Sequence, residues 1–513
     1  MRNTTQHLCM LSAMVGIVIS VQGRTRAQHR PGNSLFIRGA TIIDGTGKQR
    51  KLGSIRIVGD TIREVGALKP HPGDAVIEAK GLVAAPGFID THSHADGGLL
   101  EDPLAETQIR QGITTAIVGQ DGGSNYPLKE WFLKLEAKHT TLNIASFVGH
   151  GTVRGKVTAD AGKRAVTPEE LTRMQALVEQ EMQAGGLGLS SGLEYDPGFY
   201  STTAELVACA RAAAKYGGMY ISHVRDEGDE AFKSFDELIQ IAREAHLPAQ
   251  ISHIKLDTSP AWNRASEALQ MIRKAKAEGL DISADVYPYT YWQSTIIVLI
   301  PTRNWDDRGA WQKGLEEVGG AEHVLLSTYT PDANWQGKTI AAIAAKTGKD
   351  AITIIQEIVK KTHGPAATGK ESVVVTAMTE ADVTAFVAAP EVMFCSDGGL
   401  KPSHPRGAGS FPRVLGYYAQ SQKALSLEAA IHKMTGLPAA RMHLANRGGI
   451  APGMKADITL FDPATVHDTA TTAHPAAPPV GIPYVIVNGS VVLAQGKFTG
   501  NRPGAVLRKS TGH

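Results

Sequence analysis

The sequence predicts an α/β protein: a (β/α)8, TIM-like barrel, a small β-sandwich domain built from both chain ends, and an insertion between barrel strands seven and eight. Three observations predict it. Short apolar strands alternate with helical stretches from "GFIDTHSHAD" (87–96) to "VMFCSDGG" (392–399), the pattern of parallel strands joined by helical crossovers. Eight such strands can be counted, the number that closes a barrel. The two chain ends share another texture, short strands and tight turns, and so read as one sheet domain assembled in space.

The chain's 513 residues are long for one core, which suits a large barrel with attached parts. Lys plus Arg number 52 against 50 Asp plus Glu, a net charge of only +2. No basic patch is implied, and nucleic acid is not expected as a partner.

Residues 1–27 read as a secretory signal: Arg2, an apolar run from Leu8 to Val21, then the small residues Thr25 and Ala27 placed for cleavage. Export to a periplasm or beyond is expected. The run is short for a membrane span, and no span is expected in the mature chain. Cys9 lies in this segment, leaving Cys209 and Cys395, too few for a disulfide framework. Cys209 sits in the helical "ELVACARAAAKYG" and reads as core.

Residues 28–85 form the N-terminal part of the sandwich. "SLFIRGATIID", "GSIRIVGDTIREVG" and "AVIEAKGLVAAPG" alternate apolar and polar residues between turns. The barrel is expected over 86–445. Its further strands are "TTAIVGQD", "NIASFVGHG", "GLGLSSGLEY", "MYISHVRDEG", "PAQISHIK" and "DISADVYPY", with helices such as Pro168–Ala184, Ala204–Tyr216, Phe235–Ala245 and Ala265–Glu278. The stretch from about 290 to 376 is too long for one crossover and reads as an insertion lying over the site. Residues 446–513, with "KADITLFD" and "YVIVNGSVVLAQGKFTG", supply the C-terminal part of the sandwich.

In such a barrel, catalytic groups project from the C-terminal ends of strands. Strand one ends in His92 and His94, which point to the same side because residues two apart in an extended chain do so. Strand five ends in His223, strand six in His253 and strand eight in Asp397. Imidazoles and a carboxylate are a ligand set that zinc prefers, with a place left open for water.

With these residues, "GFIDTHSHAD", the histidine-bearing strands, "SDGG" and "KADITLFD" resemble the amidohydrolase superfamily. More narrowly, "GLSSGLEYDPGFYS", "YISHVRDEGDE", "ISHIK", "DVYPYT", "HPRGAGSFPRVLG" and "MTGLPAARMHLANRGGIAPG" resemble the N-acyl-D-amino-acid deacylases, or D-aminoacylases. The resemblance runs from about Ser34 to the C-terminus. It implies zinc-dependent hydrolysis of N-acyl-D-amino acids, a small-molecule substrate. One zinc ion is implied at His223 and His253 with Asp121, and a second, weaker site at His92 and His94.

One departure stands out. The family's strand-two motif carries a metal-binding cysteine, whereas "VGQDGGS" puts Asp121 there. Asp121 either ligates the metal or orients a histidine beside it; ligation is favoured. Asp397 is the implied general base and acid. Lys255, Tyr195, Tyr287, Tyr289, Arg406 and His404 are expected around the substrate and its free carboxylate, and Arg225 with Glu227 as a structural ion pair. A related hydrolase of cyclic amides or D-containing dipeptides is the alternative enzyme. A non-catalytic scaffold would show broken ligands, and here all stand in place. The oligomeric state is left open.

Overall fold

The computed structural model describes residues 34–158, 163–300, 302, 304–364 and 367–509; the expected signal segment lies outside them. The two chain ends build one sheet. Strands Leu35–Ile42, Lys51–Val58, Thr61–Gly66, Ala75–Glu78 and Val83–Pro86 join Ile458–Phe461, Tyr484–Val487, Ser490–Ala494 and Lys497–Phe498 in a single nine-stranded network. The seam is antiparallel, with Pro86 opposite Ile458 and Val83 opposite Phe461. The alternation of apolar residues buries Leu35, Ile37, Ile55, Ile57, Ile458 and Leu460 in a core of their own.

Eight parallel strand positions occupy the middle of the chain. We label them β1 (Phe88–Asp90), β2 (Ile113–Val118), β3 (Asn143–Ser146, continued by Val148–Gly149), β4 (Gly188–Gly192), β5 (Met219–His223), β6 (Ala249–Ile251), β7 (Ile282–Val286) and β8 (Val392–Phe394). β1 to β3 form one sheet; β4 to β8, with the continuation of β3, form another. The 143–149 segment thus belongs to both. At the opposite edges β8 meets β1: Asp397 N–H donates to His92 O (2.9 Å) and His94 N–H to Gly398 O (3.0 Å). The register sets Gly192 beside His223, Ile251 beside Ala284 and Val286 beside Phe394. Strand ends are therefore level, and His92, His223, His253 and Asp397 come together beyond them.

Helices cover the strands. Pro168–Gln183 starts with a capping box, Thr167 Oγ1 accepting from Glu170 N–H (3.2 Å) and the Glu170 carboxylate from Thr167 N–H (2.9 Å). Ala231–Ala245 buries Ala231, Phe235, Leu238, Ala242 and Ala245 along one stripe. Cys209 and Cys395 are buried and unpaired. No helix among the described residues is long and apolar enough to cross a membrane. Between β7 and β8 lies a four-stranded antiparallel sheet (Tyr291–Ser294, Val324–Tyr329, Lys338–Thr339, Glu371–Thr376) with helices Arg308–Glu317, Ile340–Thr347 and Ala351–Thr362.

The helix after β3, His150–Val157, is tied to Thr203–Ala214 by a buried charge cluster in which Glu205 accepts from Arg154 and lies 3.0 Å from His150 Nε2. The side chains of Arg154 and Glu205 are 0% and 2% exposed. Glu205→Ala removes the carboxylate from this buried guanidinium and is expected to destabilise the fold by about 3–5 kcal/mol, seen as a lower midpoint of denaturation. Burial works against ionisation of Glu205, but His150 and Arg154 outweigh it and hold its acid below the usual range. Its contribution is complete above the unfolded value of about 4.3 and is lost as pH falls through the depressed folded value. The acid limb of the wild-type stability profile should be missing that component in the variant.

Candidate active site and metal centre

β1 hands its terminal residues straight to the centre. The rings of His92 and His94 lie 5.2 Å apart, on the same side as expected, and both meet Asp121 from β2. Asp121 Oδ1 is 3.3 Å from His92 Nε2 and 3.5 Å from His253 Nε2; its Oδ2 is 3.2 Å from His94 Nε2. The loop after β2 reaches this position because it packs tightly on β4: a Cβ on Gly192 would come within 2.3 Å of Asp121 O. Asp121, His253 and Asp397 all adopt left-handed backbone, with φ of 53°, 34° and 46°. Such conformations cost about 1–3 kcal/mol each in non-glycine residues, so their coincidence at one place marks it as functional.

His223 and His253 turn their inner nitrogens toward each other, Nδ1 to Nε2 at 3.0 Å. Their outer nitrogens meet carboxylates: His223 Nε2 is 2.9 Å from Glu194 Oε2, and His253 Nδ1 is 3.2 Å from Glu227 Oε1. We assign the His223 ring proton to Nε2, facing Glu194; His253 Nδ1 lies between Glu227 Oε1 and the Lys255 ammonium (2.7 Å), and its Nε2 faces the centre. The main-chain N–H of His253 is itself held by Asp285 Oδ1 (2.5 Å). Asp397 follows β8; its Oδ1 lies 3.1 Å from His94 Nε2 and 3.6 Å from His92 Nε2, while Oδ2 pairs with Arg406 (2.9 Å).

The electrostatics are those of a cation site. Burial would raise Asp121 and Asp397, yet the surrounding imidazoles, with Arg406 at Asp397, hold both carboxyls well below the usual range. His92 Nδ1 and Nε2 and Asp121 Oδ1 are buried and make no hydrogen bond, which buried polar atoms rarely tolerate. Donor atoms of His92, Asp121, His253 and Asp397 lie within 4.8 Å of one another, as do those of His223, Glu227 and His253. Ligands around tetrahedral zinc are spaced by roughly 3.4 Å, given bonds of about 2.1 Å. The distances of 3.3, 3.5, 3.0 and 3.6 Å fit.

The expected substrate residues divide. Lys255, Tyr195 and Arg406 line a cavity of about 130 Å3 over the centre. Lys255 Nζ lies 2.8 and 2.7 Å from the two Glu227 oxygens, and Tyr195 OH lies 3.5 Å from His223 Nδ1. Tyr287 is buried behind the cavity wall, its ring 4.6 Å from the Arg406 guanidinium. Tyr289 turns away: its hydroxyl donates to Asp468 (3.1 Å) in the C-terminal part of the chain. His404 is buried with both nitrogens engaged, by Tyr291 O (3.0 Å) and by Arg406 N–H (2.9 Å), and acts as a support for Arg406. The expected Arg225–Glu227 pair does not form. Arg225 pairs instead with Glu237 (2.9 Å), because Glu227 folds back onto Lys255.

Three carboxyls at the site escaped the sequence reading: Glu194, Asp257 and, as a partner of His253, Glu227. Glu194 precedes Tyr195 just beyond β4, and its place at a strand end was the available signal.

The amidohydrolase family model matches residues 75–295 and 310–493. The D-aminoacylase of Alcaligenes xylosoxydans xylosoxydans is 34% identical over 502 residues, 93% of this chain and 98% of its own length. The crystal structure of an N-acyl-D-glutamate deacylase from Bordetella bronchiseptica, complexed with zinc and a phosphonate mimic of the tetrahedral intermediate, is similar with a TM-score of 0.83. It is 33% identical and covers 92% of this chain and 99% of its own. A D-aminoacylase structure that addresses the role of a binuclear metal centre is similar with a TM-score of 0.81, 33% identity and the same coverage.

Proposed function

This chain belongs to the amidohydrolase family, and from that premise we propose that it hydrolyses the amide bond of N-acyl-D-amino acids with zinc as cofactor. The products are a carboxylate and a free D-amino acid. The observation that carries the reading is the donor set itself: His92, His94, Asp121, His253 and Asp397 converge at one end of the parallel strands, with orphaned buried atoms between them.

The resemblance would place one tight zinc ion at His223, His253 and Asp121 and a weaker one at His92 and His94; the donor atoms themselves group as His92, Asp121, His253 and Asp397, and as His223, Glu227 and His253, with His253 common to both. Zinc bound there supplies Lewis acidity, polarising a carbonyl and lowering the pKa of water. Asp397 takes the proton of the attacking water and returns it to the leaving amine. Arg406, fixed on Oδ2, leaves Oδ1 turned toward the centre for that task. Tyr195 stays protonated, because burial raises its phenol well above the ordinary value. It can therefore donate to the carbonyl oxygen as charge develops. Lys255 and Arg406 are the two cations in the cavity wall and would face the substrate's free carboxylate. The level parallel strands, linked at both pairs of edges, support a (β/α)8 barrel; the sheet of both chain ends supports the small β-sandwich.

Zinc-loaded protein given matched N-acetyl-D and N-acetyl-L amino acids should release free amine from the D series alone. Equal release from both series would overturn the stereochemical part of the reading. No release from either would overturn the deacylase reading.

A further inference from the structure

The deacylase reading leaves the substrate's side chain unassigned. The two cations of the central cavity are already matched, Lys255 by Glu227 (2.7 Å) and Arg406 by Asp397 (2.9 Å). Two further carboxyls, Glu194 and Asp257, face the same cavity. Glu194 is engaged with His223. The side chain of Asp257, only 9% exposed, accepts no hydrogen bond and forms no ion pair among the described residues. Its N–H alone is used, donating to Glu227 O (2.8 Å).

Asp257 also lines an adjoining cavity of about 80 Å3, which Glu194, Trp292 and Val298 share with the central one. Acidic groups again border its far side. The cation there, Lys313, is taken up by Asp229 (3.0 Å) and Glu317 (2.8 Å). Burial, with Glu194 and Glu227 nearby, pushes the Asp257 acid well above the usual range and outweighs the opposing pull of Lys255, which is itself paired with Glu227.

We propose that Asp257 and Glu194 select N-acyl-D-amino acids whose side chain ends in a cation, N-acyl-D-lysine being the type. This rests on the deacylase reading and adds the substrate class to it. The aliphatic stem runs past Trp292 and Val298, and the ammonium group pairs with Asp257, with Glu194 beside it on the same wall. An acidic side chain meets Asp257 and Glu194 there, with no third lysine or arginine in the wall of the central cavity to receive it, and is disfavoured.

The test is a comparison on the zinc-loaded full chain of N-acetyl-D-lysine, its neutral isostere N-acetyl-D-norleucine, and N-acetyl-D-glutamate. The expected kcat/KM for lysine exceeds that for norleucine by about tenfold, and glutamate falls below both. Asp257→Asn should cut the lysine-to-norleucine ratio by about tenfold, mainly through KM for lysine. Norleucine or glutamate equalling or surpassing lysine sinks the proposal and leaves the deacylase reading standing, as does a ratio unchanged in Asp257→Asn. If that variant does not fold, the wild-type comparison decides alone. Failure to hydrolyse any of the three sinks both.

Discussion

Asp397→Asn is expected to lower kcat by about 10³–10⁴-fold while one zinc ion per chain is retained. The two halves of that expectation come from different atoms. Asparagine matches the shape of aspartate and tolerates left-handed backbone, so the φ of 46° and the N–H bond to His92 O carry over. The amide cannot accept a proton from water, and so has none to return to the amine. Both proton transfers fail together, which places the effect at the upper end of the range for a general acid–base group. His223, His253 and Asp121 do not depend on Asp397 for position, so tight zinc stays. Turnover and metal content measured on the same preparation separate the roles. Near wild-type turnover would remove Asp397 from the chemistry, and loss of all zinc would make it primarily a ligand.

Much of the candidate site was legible because level strand ends bring the residues at and just beyond them together. His223 closes β5, while His92 and His94 follow β1, and His253 and Asp397 follow β6 and β8, the last two in left-handed backbone. The reading failed where a loop residue's direction is set by a partner outside the strands. Tyr287 and Tyr289 are two apart, yet β7 stops at Val286. Past Pro288 the chain turns, and Tyr289 goes to Asp468. Arg225 and Glu227 likewise sit in the loop after β5, where one reaches out to a helix and the other doubles back. Asp257, four residues past His253, had no periodic rule to place it; its meaning came from the cavities it borders. The departure at Asp121 was visible as a change of residue. Only the structure shows this carboxylate touching three imidazoles.

Asp121→Ala is therefore expected to abolish activity by loss of the metal. Removing this carboxylate takes a donor from both histidine groups at once and leaves His92 and the inner nitrogen of His253 without the carboxylate they face. Zinc content after dialysis should fall from about one ion per chain to well below that, and turnover with it by more than about 10³-fold. The competing view, in which Asp121 only orients a histidine, makes a different forecast: zinc is retained, and activity falls by about 10–100-fold, as for removal of an outer partner. Asp121→Asn sharpens the contrast, since it preserves the backbone turn and the size of the side chain but not the charge. If charge donation to zinc is the role, the asparagine variant loses metal almost as fully as the alanine one. If hydrogen bonding to an imidazole is the role, it keeps both the metal and most of the activity. Burial alone would raise the Asp121 carboxyl, yet the neighbouring imidazoles hold it well below the usual range. An ionised, buried carboxylate with one oxygen free of any hydrogen bond is placed to give that oxygen to a metal, and ligation by Asp121 is the role that predicts loss of zinc.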